Sequence, residues 1–444
     1  MALSDADEQS ILNLFIELLP PERWKELEGD KRPQIFSLQV VAAMMLLQRL
    51  DAQGTQAEVV RQLAAGRLDH LLPDSKRARE KMISDNTGRY ATACRQFAPE
   101  LMEQVCAEML TELGKRIQPA KAGERAVLLV DGSSVSLAHD PELLPHYPPS
   151  RNQCGEAHWG MVRVLVLHDV RTGIALHPQW GPMYGSETVS EQELAERALE
   201  KAPPGCVILA DANFGIFSFA YRVVQGQRQV LLRLTGQRAQ ALGASQLLPY
   251  GEEKFCWRPT RKDREKNPGL PQEAKIAGRL MAVRQKGFRH PLYLFTTLSE
   301  EMVEVITLYR LRWNVELDLR SLKRTLGLFH LRGKSKEAIE KELLVAMVAY
   351  GLVRVIMAAA ARRRGLEPRR LSFTAACSLL NLMIGKLCCG DRAQREQEFE
   401  RLLRLMAQAK LPNRSQPRSF ERAVWGFRQS FPPRRSQSTA EKIK

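Results

Sequence analysis

Residues 126–137, AVLLVDGSSVSL, decide how the rest of the chain is read. Five apolar residues in a row are followed by Asp131, Gly132 and two serines, which is the pattern of a buried strand that ends on a carboxylate at Asp131. Working toward the C-terminus, WGMVRVLVLHDV (159–170) and GIALHPQW (173–180) are two further β-type runs, with turns at Gly155 and at Arg171-Thr172-Gly173. Ser190 and Glu193 form a capping box that opens the helix EQELAERALEKA. GCVILADANFG is then a short apolar strand ending on Asp211, 216–225 is a helix, and QVLLRL is a fifth strand.

Three strands, then helix, strand, helix, strand is the order of a ribonuclease-H-like α/β core. Carboxylates at strand ends beside small residues point into the crevice where such folds take ligands. Taken singly, each aspartate also fits a turn or cap. Beyond the fifth strand, a polar and basic stretch carries Lys254, Arg258, Arg261, Lys262, Arg264 and Lys266 around Trp257. Its strand-like pieces KFCWRP, IAGRLMAVRQ and PLYLFTTL predict a β-rich insertion.

The insertion leads to YRLRWNVELDLRSLKRTLGLFH (309–330), read as one helix. At about 100° per residue, Tyr309, Arg312 and Lys323 fall within roughly 40° of Glu316, and Arg320 joins them. Leu308, Leu311, Val315, Leu319, Leu322 and Leu326 form a separate apolar stripe. A solvated face with spaced ion pairs has the same look. Together with Asp131 and Asp211, however, Glu316 makes three carboxylates without histidine or cysteine, a donor set suited to Mg²⁺ or Mn²⁺. Two such ions close together serve phosphodiester chemistry.

Outside this core the periodicity is helical. ILNLFIELL, LQVVAAMMLLQRL, AEVVRQLAAGRL and PELMEQVCAEMLTEL precede a linker at QPAKAGER (118–125). Short helices near Lys76, Arg77, Arg79, Lys81 and Arg89 read equally as a groove-entering DNA module or as a bundle with a charged edge, and no residue there is assigned to a base. Residues 331–365 read as a helix pair, 375–409 are again helical, and PPRRSQSTAEKIK reads as disordered.

The chain has 66 Lys+Arg against 50 Asp+Glu, a net charge of +16 that points to a polyanionic partner, nucleic acid before an anionic membrane. No apolar run was expected to span a membrane, and the acidic start MALSDADEQS is no signal peptide, so the cytoplasm is the expected compartment. The eight cysteines form no CxxC pair, which argues against a zinc site or a disulfide framework.

Tyr309, Arg312, Glu316 and Lys323 fit Y-x2-R-x3-E-x6-K without a gap, and with Trp313 the segment resembles transposases of the insertion-sequence-4 family. VDGSS around Asp131, ADANFG around Asp211 and LRGKSKEAI after the helix are similar to that family's other blocks, and 413–435 resembles its basic C-terminal segment. One departure is Leu319-Arg320-Ser321-Leu322, where many members carry Phe-Lys-x-Leu; Arg320 keeps a cation there. The resemblance spans about residues 35 to 435 and implies a DDE core in which Asp131, Asp211 and Glu316 are catalytic and hold two Mg²⁺ or Mn²⁺ ions. It implies that Tyr309, Arg312 and Lys323 bind phosphates at the transposon end, with Arg320 beside them. Trp257, as the insertion's tryptophan, would stack on a flipped base in a hairpin route, or else pack within the insertion.

The expected layout is α/β with all-α flanks: a helical N-terminal DNA-binding domain over 1–118, the first part of the core over 119–235, the insertion over 236–298, the last part of the core over 299–350, a helical C-terminal region over 351–431 and a basic tail over 432–444. The implied function is a bacterial, nucleoid-associated, homodimeric transposase that cuts and rejoins double-stranded DNA at terminal inverted repeats. A silent DNA-binding regulator and a nuclease that cuts without joining are the competing readings.

Overall fold

A computed structural model of the chain describes residues 11–14, 16–29, 34–51, 54–115, 125–152, 155–284 and 290–412. Most of the expected linker, the basic segment from 413 and the tail from 432 lie outside these residues.

Among the described residues nine strands form one sheet: β1 (Val127–Ser136), β2 (Pro149–Asn152), β3 (Gly155–Asp169), β4 (Ala175–Pro182), β5 (Val207–Ala210), β6 (Gln229–Arg233), β7 (Tyr250–Trp257), β8 (Ile276–Val283) and β9 (Leu292–Thr296). Their order is β2-β3-β1-β5-β6-β9-β8-β7, with β4 also on β3. Strand β1 is antiparallel to β3 and parallel to β5, and β5 is parallel to β6. This is the mixed sheet expected of a ribonuclease-H-like core. Asp131 does not end β1, as the apolar run suggested. The strand continues to Ser136 because β3 goes on pairing it after β5 has stopped at Ala210.

The insertion does not make a sheet of its own. Strand β9 pairs with β6, β8 with β9 and β7 with β8, so these three strands extend the central sheet. Leu231, Leu294 and Met281 accordingly share one apolar cluster.

The helices are α1 (Pro21–Glu28), α2 (Leu38–Leu50), α3 (Gln56–Ala64), α4 (Lys76–Arg79), α5 (Thr87–Gln96), α6 (Pro99–Lys115), α7 (Glu191–Glu200), α8 (Phe217–Gln225), α9 (Gly236–Ala241), α10 (Arg261–Lys266), α11 (Met302–Arg310), α12 (Asn314–Arg320), α13 (Lys336–Arg363), α14 (Phe373–Cys388) and α15 (Arg392–Gln408). Helix α7 begins at Ser190 with the capping box read from its sequence.

Alternation along the strands sorts side chains between two faces. Leu128, Val130, Ile208, Ala210, Val230 and Leu232 pack with Leu194 and Ala198 of α7 and Phe217 and Ala220 of α8. Leu129, Leu209 and Leu231 face the other way, against Met302, Val305, Ile306 and Tyr309 of α11 and Val315 of α12. The helical segment with the glutamate therefore covers the sheet opposite α7 and α8.

A third cluster joins the N-terminal helices, α13 to α15 and the outer part of the sheet at Val135, Val162 and Val164. Helix α13 packs on α2, α6, α14 and α15, and the boundary expected at 350 falls within it. Its stretch 343–361 is apolar except for Arg354, long enough to pass for a membrane span, contrary to the expectation that no such run exists. That stretch is apolar all round because protein surrounds it: 94% of its most apolar window is buried in the fold.

The segment 309–330 is not one helix. It comprises the end of α11, a 3-10 turn at Leu311–Trp313, α12, a π turn at Ser321–Thr325, Gly327 at φ +69° and a 3-10 turn at Leu328–His330. A 3-10 turn advances about 120° per residue, not 100°, which carries Leu311 out of the apolar stripe; it is exposed, whereas Val315, Leu322 and Leu326 are buried.

Candidate active site

The last register pairs of the parallel strands are Val130 with Ala210 and Ala210 with Leu232. The next residues along β1, β5 and β6 are Asp131, Asp211 and Arg233. They share the face of Leu129, Leu209 and Leu231, where α11 and α12 pack, so two carboxylates and a guanidinium lie side by side beneath the glutamate segment.

The Gly132 N–H donates to Asp131 Oδ1 at 2.9 Å. Burial, reinforced by the charge of Asp211 and then of Glu191, pushes the Asp131 carboxyl up to about 7, while Arg312 pulls the other way. Asp211 is steadied by the Asn213 N–H, 2.8 Å from Oδ1. Asp211 begins the loop after β5, where a short polar side chain can bond nearby backbone, whereas Asp131 stands within β1.

Glu316 lies on α12 with its carboxylate 3.5 Å from the Arg312 guanidinium; the arginine side chain is buried and that of the glutamate is 47% exposed. Tyr309 is only 6% exposed, and its hydroxyl lies beside Arg312. Burial raises its phenol to about 12, against the charges of Arg312 and Arg233. Lys323, on the π turn, is lowered by burial and raised by the charge of Asp131, and its ammonium stands 5.3 Å from the Phe329 ring. Despite the broken helix, Arg312 and Lys323 both bear on Asp131. Arg320 is exposed on the outer side of α12.

Behind Glu316, on the opposite side of α12, Asp318 is fully buried. Arg354 Nη2 donates to Oδ1 at 2.6 Å, and Arg369 donates to Oδ1 and Oδ2 at 3.0 and 2.9 Å. Burial alone would raise this carboxyl; Arg354 and Arg369 outweigh it and hold the group below its usual range. Arg369 also donates to Asp169 O, which pins α12 to the end of β3.

Trp257 does not present a stacking surface. It is 4% exposed, with Phe295 at 4.7 Å and Phe217 at 5.9 Å edge-on to it, so the packing alternative is the observed one. Among the described residues the exposed indole is Trp313, next to Arg312, at 58%. In the N-terminal region Lys76, Arg77 and Arg89 line a groove of about 600 Å³, while Arg79 and Lys81 lean on Asp74 and Asp69.

Three residues of the site escaped the sequence reading. Glu191 follows the cap Ser190 directly, so the capping box marked its place but not what it faces. Arg233 ends its apolar strand just as Asp131 and Asp211 follow theirs, a signal available in QVLLRL. Asn213 lies in the quoted ADANFG block.

By chemistry, Asp131, Asp211 and Glu316 offer carboxylate oxygens without histidine or cysteine, a donor set that suits a hard divalent cation. Among the described residues no three carboxylate, histidine or cysteine groups are already gathered around one point.

The model of the Transposase DDE domain matches residues 122–352, more than half of the chain and all of this site. The chain belongs to the DDE transposases. It is 28% identical over 327 residues to the transposase InsG for insertion sequence element IS4 of Escherichia coli (strain K12), a match covering 71% of each chain. The insertion-sequence-4 resemblance of the signature holds for this transposase, and such a family implies DNA substrates and divalent metal ions.

Proposed function

We propose that this transposase binds the terminal inverted repeats of an insertion sequence, cuts the DNA there and joins the freed end to target DNA, with Asp131, Asp211 and Glu316 as its catalytic carboxylates. The observation that carries this reading is the placement of Asp131 and Asp211 one step past Val130 and Ala210, under the segment that brings Arg312, Glu316 and Lys323. A pair of Mg²⁺ or Mn²⁺ ions held by the carboxylates supplies an activated nucleophile and charge stabilisation at the leaving oxygen.

The chain's own groups position the DNA. Arg312 and Lys323 hold phosphates flanking the scissile bond, and Arg233 adds a third cation from the sheet. The Tyr309 hydroxyl donates to a phosphate oxygen, and Arg320 meets the backbone farther out. Water attacks the phosphodiester at the element's end and leaves a 3′-hydroxyl, which then attacks a target phosphodiester and displaces a target 3′-oxygen. If cut-and-paste runs through a hairpin with a flipped base, Trp313 is better exposed to stack on that base than Trp257. Two ends have to be joined in one event, so the working form is a homodimer on DNA in the bacterial nucleoid. The N-terminal groove with Lys76, Arg77 and Arg89 supports end binding by the helical region.

Strand cleavage of a duplex bearing the element's end, in Mg²⁺ or Mn²⁺, tests this. Asp131→Ala, Asp211→Ala and Glu316→Ala are each expected to lose nicking while still shifting the duplex in a gel; nicking retained by any one removes that residue from the triad. Joined products in the same reaction separate a transposase cycle from cutting alone.

A further inference from the structure

Arg49 belongs to the N-terminal helical region, near the end of α2, yet it is buried against the far end of the glutamate segment. Its Nη1 donates to Gly327 O at 3.4 Å, and its Nη2 is paired with Glu342 of α13. Glu342 Oε2 also accepts the Arg332 N–H at 2.9 Å. Arg332 Nη1 in turn reaches back to Gly54 O at 3.0 Å, in the loop that follows α2. Two arginines thus cross one boundary in opposite directions, with a carboxylate between them. Residues 327 to 332 are fastened to the N-terminal region at both ends, and Leu328 and Leu331 are buried in the core that the two regions share.

This fastened stretch stands behind Lys323. It begins at Gly327, whose φ of +69° turns the chain out of the π turn, and it contains the 3-10 turn at Leu328–His330. That turn packs against β1, the strand of Asp131, and its Phe329 ring lies 5.3 Å from the Lys323 ammonium. Arg312 has the Glu316 carboxylate at 3.5 Å to orient it. Lys323 has the ring instead, with the charge of Asp131 acting on it from the sheet. A lysine head on four rotatable bonds keeps one place only where its surroundings keep theirs.

We infer that Arg49 is a positioning residue for Lys323: through Gly327 and the Phe329 ring it sets where that ammonium stands when a phosphate arrives. The inference rests on the reading of Lys323 as a phosphate-binding group. It gives the N-terminal helices a share in cleavage that is separate from end binding.

The test is a double-mutant cycle on single-turnover cleavage of a duplex bearing the element's end, with full-length protein below the melting onset of every variant. Arg49→Lys keeps a cation for Glu342 and gives up the forked reach to Gly327. It is expected to shift the duplex in a gel as wild type does and to cleave it about tenfold more slowly. In a chain that already carries Lys323→Ala, the same change is expected to slow cleavage by less than about twofold, because the group it positions is gone. Arg332→Lys, which loosens the same stretch from Gly54, is expected to behave alike and serves if Arg49→Lys folds poorly. A merely structural arginine would slow both chains by the same factor. Equal factors, or wild-type cleavage by Arg49→Lys, overturn the inference and leave the phosphate role of Lys323 standing. Wild-type cleavage by Lys323→Ala alone overturns both.

Discussion

Asp131 is held in the fold at a cost that its pH dependence should expose. Its carboxyl is pushed from the ordinary 3.8 up to about 7 by burial and by neighbouring carboxylates. The folded chain therefore binds a proton that the unfolded chain has released between these values. Stability from this group is fully present below about pH 4 and is lost as pH rises through about 7. Asp131→Asn removes the loss, so in EDTA at pH 8 the variant should unfold at a higher temperature than wild type, by on the order of 2 kcal/mol, with the gap closing near pH 4. Equal melting curves at pH 8 would mean that the folded protein does not resist the Asp131 charge. Catalytic sites often carry such a cost, since groups that repel one another are kept together for the ligand.

Among the elements, α12 matters most, and its back is fixed more firmly than its front. Glu316 faces water and Arg312, whereas Asp318 is enclosed by Arg354 and Arg369 from the C-terminal helical region. Removing the carboxylate leaves two guanidinium groups without their counter-charge in the interior. Asp318→Ala should therefore cost about 3–5 kcal/mol in urea unfolding. Cleavage should fall at temperatures where the variant remains folded, because α12 loses its attachment to β3. A loss below about 1 kcal/mol would assign the pinning of α12 to apolar packing. The π turn after α12 has a related role. It turns Lys323 toward Asp131, on which Arg312 also bears, although the helix does not run through the segment.

For the molecule as a whole, the net charge of +16 says that DNA affinity will fall steeply with salt, and it does not say where DNA lies. The cations at the strand ends make a local claim. Lys323→Ala and Arg233→Ala should each reduce the slope of log affinity against log salt by about 0.9, measured by anisotropy between 50 and 200 mM salt. A slope unchanged in both would place the phosphates elsewhere, with the N-terminal groove of Lys76, Arg77 and Arg89 as the next surface to vary. The shared core of the N-terminal helices with α13 to α15 also bears on design of such variants, because truncating either end would uncover apolar surface of the other.

The sequence by itself determined five of the core strands, the capped start of α7 and the place of Asp211 directly after its strand. These rest on local rules: period-two alternation, capping chemistry and short-range spacing. Tertiary structure decided what those rules do not reach. It extended the central sheet through the insertion strands and enclosed Trp257 among Phe217 and Phe295. It broke the 309–330 segment, and it buried α13, whose composition alone reads like a membrane span. It also brought Glu191 across the strand edge to Asp131, because only the folded sheet sets the missing side chain of Gly132 opposite the start of α7.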